Sequence, residues 1–243
     1  ASEMLIDILT LFPEMFDGPF DHSIIKRAIE REIVKIKLHN IRDHGVGKHK
    51  VVDDYPYGGG EGMVMMPEPL HNSLKTLNID KDTPVVLLTP QGRKFDQKTA
   101  DDLAKHKRLV FICGRYEGVD ERVRQHMVTD EISIGDYVIS GGELAVMVVV
   151  DGIIRRLPGA LGAEIEQDSM MNGLLEFPQY TRPAQYEQWE VPPVLLSGNH
   201  AEIAKWRRQQ SIERTAVRRP DLLKNAELSA SERQYIEDEM KDK

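Results

Sequence analysis

The sequence is poor in cysteine and has no long apolar stretch, and both absences narrow the class of protein. Cys113 is the only cysteine among 243 residues, so an intramolecular disulfide is excluded and a reducing compartment is expected. No run approaches the ~20 consecutive apolar residues of a membrane-spanning helix. The first residues also lack the basic start and apolar core of a secretory signal. These absences predict a cytoplasmic protein without a membrane segment.

Basic side chains are fewer than acidic ones, which argues against a wholly basic nucleic-acid-binding surface. The chain has 32 Lys and Arg against 40 Asp and Glu, a net charge of −8, whereas phosphate contacts favour basic side chains. The basic residues are nevertheless concentrated in two segments. One spans residues 42–50, and the other spans residues 200–220, where six basic side chains accompany two acidic ones. An acidic chain with two basic patches is compatible with RNA as a partner.

Short apolar runs predict several β-strands. Residues 85–88 and 109–113 are continuous apolar runs, typical of strands that are covered on both faces. Val34, Ile36 and Leu38 alternate with polar residues, the period-two pattern of a half-exposed strand. The predicted strands cover residues 5–11, 34–38, 85–88, 109–113 and, as a broken run, 132–139.

Helical segments alternate with these strands, which predicts an α/β domain with a mainly parallel sheet. The composition changes after Pro158 to a segment rich in glycine and acidic residues. Beyond Pro183 the chain is charged and helical, with no strand pattern, and Trp189 and Trp206 are interpreted as anchors of this part. The predicted helices cover residues 96–105, 119–127 and 143–157. The predicted organisation is an α/β domain over 1–160, a flexible linker over 161–173 and a small helical domain over 174–243.

Glycine-bearing segments of unusual composition follow three of the predicted strands. They are residues 89–93, residues 114–118, and residues 135–136 together with 140–143. Ligands bind at the carboxyl ends of parallel strands, and glycine lets the backbone approach a small molecule closely. Any one of these segments is explained as a tight turn, but three together predict a ligand pocket. The Gly58–Gly60 run lacks the Lys-Ser/Thr of a P-loop and predicts only a flexible loop.

Motifs spread along nearly the whole chain resemble those of the tRNA (guanine-N1)-methyltransferase family (TrmD) of the SPOUT superfamily. They occur in the order in which that family has them. Ala145 departs from the family, which usually has proline after Gly-Gly-Glu-Leu. The motifs are LFPEMF at 11–16, VDDYPYGGG at 52–60, PQGR at 90–93, CGRYEG at 113–118, SIGDYV at 133–138, GGEL at 141–144, LLEFPQYTRP at 174–183 and LSGNH at 196–200.

The resemblance implies a trefoil-knotted, SPOUT-like α/β fold with helices on both faces of the sheet. It implies a homodimer with active sites at the subunit interface. It also implies methyl transfer from S-adenosylmethionine to N1 of guanosine 37 of tRNA, beside the anticodon. The residues that it implies for donor binding are Leu88, Pro90, Gln91, Gly114, Tyr116, Glu117, Ile134, Gly135, Asp136, Tyr137, Val138, Ile139, Gly141 and Gly142.

Two side chains match the catalytic pair of this family. Guanine N1 carries a proton at neutral pH, so the reaction needs a general base and a cation facing O6. By resemblance, Asp168 is the base and Arg155 is the cation. Taken alone, a linker aspartate is usually solvated and an arginine near a helix end usually complements the helix dipole. The resemblance also connects Glu117 with donor binding or Mg²⁺, although one carboxylate is not a metal site.

Contacts with tRNA are expected from both basic segments. Arg207, Arg214 and Arg218 share one helical face and predict a phosphate-binding surface. Lys48 and Lys50 of the first basic segment are expected to bind tRNA, and the resemblance implies that Asp53 and Asp54, close to that segment, contact the target base or its neighbour. Two other functions remain open: an RNA-binding protein of this fold that has lost its chemistry, and a nucleotide-dependent enzyme that uses the glycine run.

Overall fold

The computed structural model describes residues 3–161 and 173–239, and the chain divides into two compact units between Ala163 and Glu164. The predicted linker, 161–173, lies almost wholly outside the described residues. Among the helices described, none combines the length and apolar character that a bilayer crossing requires.

The first unit is built on a five-stranded sheet in which all neighbouring strands run parallel, in the order β2-β1-β6-β5-β7. This confirms the prediction of an α/β fold with a mainly parallel sheet. A short antiparallel pair, β3-β4, lies outside that sheet. The strands are β1 (Met4–Thr10), β2 (Val34–Asn40), β3 (Asp53–Asp54), β4 (Val64–Met65), β5 (Val85–Lys94), β6 (Arg108–Cys113) and β7 (Asp130–Ser133).

Helices cover both faces of the sheet, because alternate residues of each strand point to opposite sides. In β6, Leu109 and Phe111 belong to one buried apolar cluster, which includes residues of α1, α3 and α5. Val110 and Ile112 belong to a second cluster, which includes residues of α2 and α4. The helices of this unit are α1 (Ser23–Glu30), α2 (Pro67–Thr76), α3 (Gln97–Leu103), α4 (Glu121–His126) and α5 (Gly142–Ile154).

The predicted strand over 132–139 is wrong beyond its first two residues, because β7 ends at Ser133. The Ser133 hydroxyl donates to the carbonyl of Gly135 at 2.9 Å and accepts from the amide of Gly135 at 3.1 Å. Such local bonds compete with the strand ladder. The segment 89–93, expected as a loop, falls within β5, but pairing with β7 shifts register between Leu88 and Arg93. The chain therefore bulges at that point.

The second unit is mainly helical around a small core that includes Leu174, Ile212 and Ala226. The expectation that it has no strands is wrong, since β8 (Gln185–Tyr186) and β9 (Trp189–Glu190) form an antiparallel hairpin. Trp189 is not an anchor either, because it is 60% exposed. Its ring packs beside that of Tyr186, with centroids 6.0 Å apart. The helices are α6 (Pro193–Leu196), α7 (His200–Arg218) and α8 (Ala230–Glu239).

A buried carboxylate ties together three strands of the first unit. Asp7 of β1 is 1% exposed, and its oxygens lie 2.7 Å from Nε2 of His39 and 2.9 Å from Nε of Arg108. Burial acts to raise the pKa of Asp7, but the hydrogen bonds from His39 and Arg108 outweigh it and hold that pKa below its ordinary value of 3.8. Ionised Asp7 therefore stabilises the fold above that pH.

We expect Asp7→Asn to lower the free energy of unfolding at neutral pH. Because the folded pKa is depressed, this loss is fully present above about pH 3.8 and shrinks as the pH falls through the folded pKa. Urea unfolding from pH 7 to pH 2.5 measures it. Asp102→Asn is the matched control, since Asp102 pairs with Lys98 and Lys105 at an exposed position and such pairs contribute little. A loss for Asp7→Asn that stays constant across this range contradicts the assignment.

Candidate functional site

One cavity of the first unit lies at the carboxyl edge of the sheet and has a volume of about 330 Å³. Three segments form it, each following the buried part of a strand. They are residues 87–91 of β5, residues 114–119 after β6, and residues 132–142 from β7 to the start of α5. The three segments singled out in the sequence thus meet around one space, as ligand-binding loops of parallel sheets do.

All residues expected to bind the donor line this cavity except Asp136. Asp136 instead forms an exposed ion pair with Lys94, at 2.7 Å between Oδ2 and Nζ. The residues that line it as expected are Leu88, Pro90, Gln91, Gly114, Tyr116, Glu117, Ile134, Gly135, Tyr137, Val138, Ile139, Gly141 and Gly142.

Two of the loops touch through their backbones. Arg115 and Gly141 form an isolated antiparallel bridge, and the amide of Gly142 donates to the carbonyl of Gly114 at 2.9 Å. A Cβ atom added at Gly142 would lie 2.9 Å from Cα of Cys113 and 3.0 Å from the amide nitrogen of Gly114. Glycine is therefore required at residue 142 by close approach of backbone.

A buried network holds these loops against β1. Glu143 is fully buried, and its carboxylate accepts from the Thr10 hydroxyl at 2.8 Å and from Nε of Arg115 at 3.0 Å. The Arg115 guanidinium also lies over the Phe12 ring, 4.5 Å from its centroid. A buried carboxylate with charged and neutral donors is stable only if all partners stay in place. The network therefore fixes the position of the loop that begins at Gly114.

Other polar groups at the cavity are also held by neighbours. Arg124 of α4 donates to the side-chain oxygen of Gln91 at 2.7 Å and forms an ion pair with Glu131 at 3.0 Å. Cys113 is fully buried behind the cavity, and burial, with the nearby charge of Glu143, raises the pKa of its thiol well above the ordinary value. That thiol is consequently a poor nucleophile.

The two predicted catalytic residues differ in what the structure describes. Arg155 forms the C-terminal cap of α5, and its amide donates to the carbonyl of Asp151 at 3.2 Å. Asp168 lies outside the described residues, so its position relative to the cavity stays a prediction.

The residues expected to contact tRNA occupy both units. Lys48 and Lys50 are exposed in a turn closed by backbone hydrogen bonds between Val46 and Val51, at 2.8 and 3.0 Å. Asp53 follows in β3, half-buried. This turn therefore presents two cations at the surface of the first unit.

In the second unit, ion pairs divide the arginines of the second basic segment into two groups. Arg208 pairs with Glu232 at 2.8 Å, and Arg219 pairs with Asp221 at 2.7 Å. Within residues 3–161 and 173–239, no such carboxylate partner is found for the remaining three, Arg207, Arg214 and Arg218. Their charges are therefore available for a phosphate.

Several residues at the cavity were not identified as functional from the sequence. Arg115, Ser140 and Arg124 line it, and Thr10 and Glu143 fix one of its loops. A charged residue two positions after a buried strand was the available signal for Arg115. Thr10 gave no signal, because its partner lies 133 residues away in the sequence.

Comparison with known proteins identifies the family to which the sequence is similar. The sequence profile of the family described as tRNA (Guanine-1)-methyltransferase TrmD matches residues 4–225. A tRNA (guanine-N(1)-)-methyltransferase of Geotalea uraniireducens is 57% identical over 238 residues, covering 97% of this chain and 96% of that protein. Proteins of the same name from Dehalococcoides mccartyi and Staphylococcus carnosus are each 55% identical, over 240 and 236 residues, covering 97% and 96% of this chain and 96% of each relative.

Proposed function

The chain belongs to the tRNA (guanine-1)-methyltransferase family, and from that premise we propose that it transfers a methyl group to N1 of guanosine 37 of tRNA. Enzymes of this family take the methyl group from S-adenosylmethionine. The observation that carries the proposal is the single cavity enclosed by three loops at the carboxyl edge of the sheet. The Gly58–Gly60 run does not line that cavity, which weakens the alternative of a nucleotide-dependent enzyme.

The cavity fits the methyl donor in its chemistry. Gly114, Gly141 and Gly142 offer backbone amides and carbonyls to a polar ligand, and Leu88 and Ile134 offer apolar contact. Glu117 places a carboxylate in the lining, which complements the positive charge of a sulfonium. When bound there, S-adenosylmethionine supplies an electrophilic methyl group.

Two side chains perform the remaining chemistry on the guanine. Asp168 accepts the proton of N1, so that the N1 lone pair can form the new bond to the methyl carbon as the carbon–sulfur bond breaks. The Arg155 guanidinium faces O6, where negative charge accumulates as N1 loses its proton. Arg155 caps the end of α5 opposite Gly142, about 20 Å along the helix from the donor cavity, so this role requires the proposed dimer, in which each active site lies at the subunit interface.

Binding of tRNA uses the cations of both units. Lys48 and Lys50 present exposed charges on one turn of the first unit, with Asp53 nearby in sequence for the target base or its neighbour. Arg207, Arg214 and Arg218 contact phosphates from α7. Their lack of carboxylate partners within the described residues supports this role, since a neutralised arginine releases no counterion from RNA.

The active form is a cytoplasmic homodimer of trefoil-knotted subunits, with each active site at the subunit interface. Support for the dimer comes from α5, where Leu144 and Val148 are spaced i, i+4 and are 54% and 50% exposed. A helix with exposed apolar residues on one face favours association. The described residues contain no cluster of three or more His, Cys, Asp or Glu side chains placed for a metal ion.

The proposal is tested by incubating the protein with labelled S-adenosylmethionine and two tRNAs that differ only in having guanosine or adenosine at position 37. We expect label in the first tRNA alone, at N1 of residue 37. Binding of both tRNAs is measured in parallel, because an RNA-binding protein without chemistry would bind the first and label neither. Donor-independent binding with no labelled product would overturn the proposal.

A further inference from the structure

The second unit contains a cavity that has no part in the chemistry described above. It has a volume of about 280 Å³ and is lined by residues 177–184 together with residues of α6 and α7. Phe177 and Tyr180 contribute aromatic rings, Leu195 and Ile203 contribute aliphatic side chains, and Arg207 contributes a cation. We call it the aromatic cavity. Its wall is mainly apolar, and both of its charged side chains, Arg182 and Arg207, are basic.

One pair of residues in this wall has the geometry of a stacking surface. The guanidinium carbon of Arg207 lies 4.8 Å from the centroid of the Phe177 ring, a cation–π contact. Unpaired RNA bases stack on aromatic rings and on the planes of arginine guanidinium groups. Ion pairing does not compete for Arg207, since no carboxylate partner occurs within the described part of the chain.

A neighbouring cavity supplies further positive charge. It is lined by Arg214 and Arg218 and by one carboxylate, Glu176, and it shares Phe177 and Gln179 with the aromatic cavity. A purely apolar occupant of the aromatic cavity would leave Arg207, Arg214 and Arg218 without a negative partner. A nucleotide satisfies both halves of the site, because its base is planar and apolar on its faces while its phosphate is anionic.

We propose that the aromatic cavity binds one unpaired nucleobase of the tRNA, while Arg214 and Arg218 contact the adjoining phosphates. The inference rests on the proposed function and deepens it. The bound nucleotide is distinct from the methylated guanosine, because the aromatic cavity contains no residue of the three donor loops. It provides a second point of recognition, which fixes how the tRNA is held by the second unit.

The test is a double-mutant cycle between protein and RNA. Ala184 lines the aromatic cavity, and Ala184→Trp fills it without removing a charge. The matched control is Ala201→Trp. Ala201 is an exposed residue of α7 outside the cavity lining. Each protein is titrated with tRNAs in which one unpaired nucleotide at a time is abasic, and Kd is measured.

We expect abasic substitution at one position to weaken binding to the unmodified protein and to Ala201→Trp by about tenfold or more, the usual effect of losing a stacked base. With Ala184→Trp, intact tRNA binds about tenfold more weakly and the abasic substitution has no further effect. If Ala184→Trp lacks a cooperative unfolding transition, Arg207→Gln replaces it, with the same loss of coupling expected.

Equal effects of every abasic tRNA on the filled and control variants would overturn the proposal. So would a fall in molecular mass on filling the cavity, because that result assigns the surface to contact between copies of this chain. Methyl transfer to intact tRNA is measured with the same unmodified protein. Absence of product from any tRNA counts against the proposed function, whereas product without base-specific coupling counts against the aromatic cavity alone.

Discussion

Replacement of Asp168 by alanine is expected to lower kcat for methyl transfer by about 10²–10⁴-fold, the range that a positioned general base contributes. The physical reason is that N1 of guanine keeps its proton at neutral pH and has no available lone pair until a base takes it. Binding of S-adenosylmethionine should change little, because the predicted donor contacts come from other residues. A fall in kcat with an unchanged donor Kd is the signature of an interaction used only in the transition state.

A neighbouring acid provides the control for this variant. Glu166 lies two residues away in the sequence, and Glu166→Ala should retain turnover within about threefold, since Glu166 has no proposed part in the proton transfer. Single-turnover rates with saturating tRNA separate chemistry from product release. Near-normal turnover by Asp168→Ala would remove it from the mechanism, whereas an equal loss in both variants would indicate a general effect of the segment.

Replacement of Gly142 by alanine is expected to cost about 1–3 kcal/mol of stability, the usual effect of overpacking, and to weaken donor binding at least tenfold. The added Cβ would lie 2.9 Å from Cα of Cys113 and 3.0 Å from the amide of Gly114. Both neighbours are backbone, so the two loops must separate. The hydrogen bond from Gly142 to the carbonyl of Gly114, 2.9 Å long, is then lost, and the donor cavity widens.

Gly114→Ala is the matched variant on the facing loop. A Cβ there would meet only Cγ1 of Val119, at 4.0 Å, so the thermal unfolding temperature should stay close to that of the unmodified protein. Calorimetry gives the two unfolding temperatures, and isothermal titration gives donor affinity. Equal stability of both alanine variants would show that the loops yield easily, which contradicts the rigid contact inferred here.

The parts of the site that the sequence predicted are those built from contiguous segments. The runs at 85–88 and 109–113 identified β5 and β6, because apolar strands covered on both faces have no polar residues to obscure them. The segments that follow these strands were recognisable because each of them contains glycine in the connection after an apolar run. The resemblance to a family then assigned donor-binding residues, and the cavity lining includes them all except Asp136.

The parts that the sequence missed depend on distant or very short pairing. The hydrogen bond between Thr10 and Glu143 joins residues that are 133 positions apart in the sequence, and no local pattern reveals such a pair. The hairpin of β8 and β9 has strands of two residues each, too short for an alternating pattern. Helix α1 was missed although its apolar residues share one face, because its eight residues are fewer than the window over which helical periodicity is recognised.

The strand order has a consequence for synthesis of the chain on the ribosome. β1 pairs with β2 on one side and with β6 on the other, yet β6 emerges long after β2. During that interval the second edge of β1 is open, and an exposed apolar edge is a template for pairing with another nascent chain. The rate of translation between residues 40 and 108 is therefore expected to affect the yield of soluble protein.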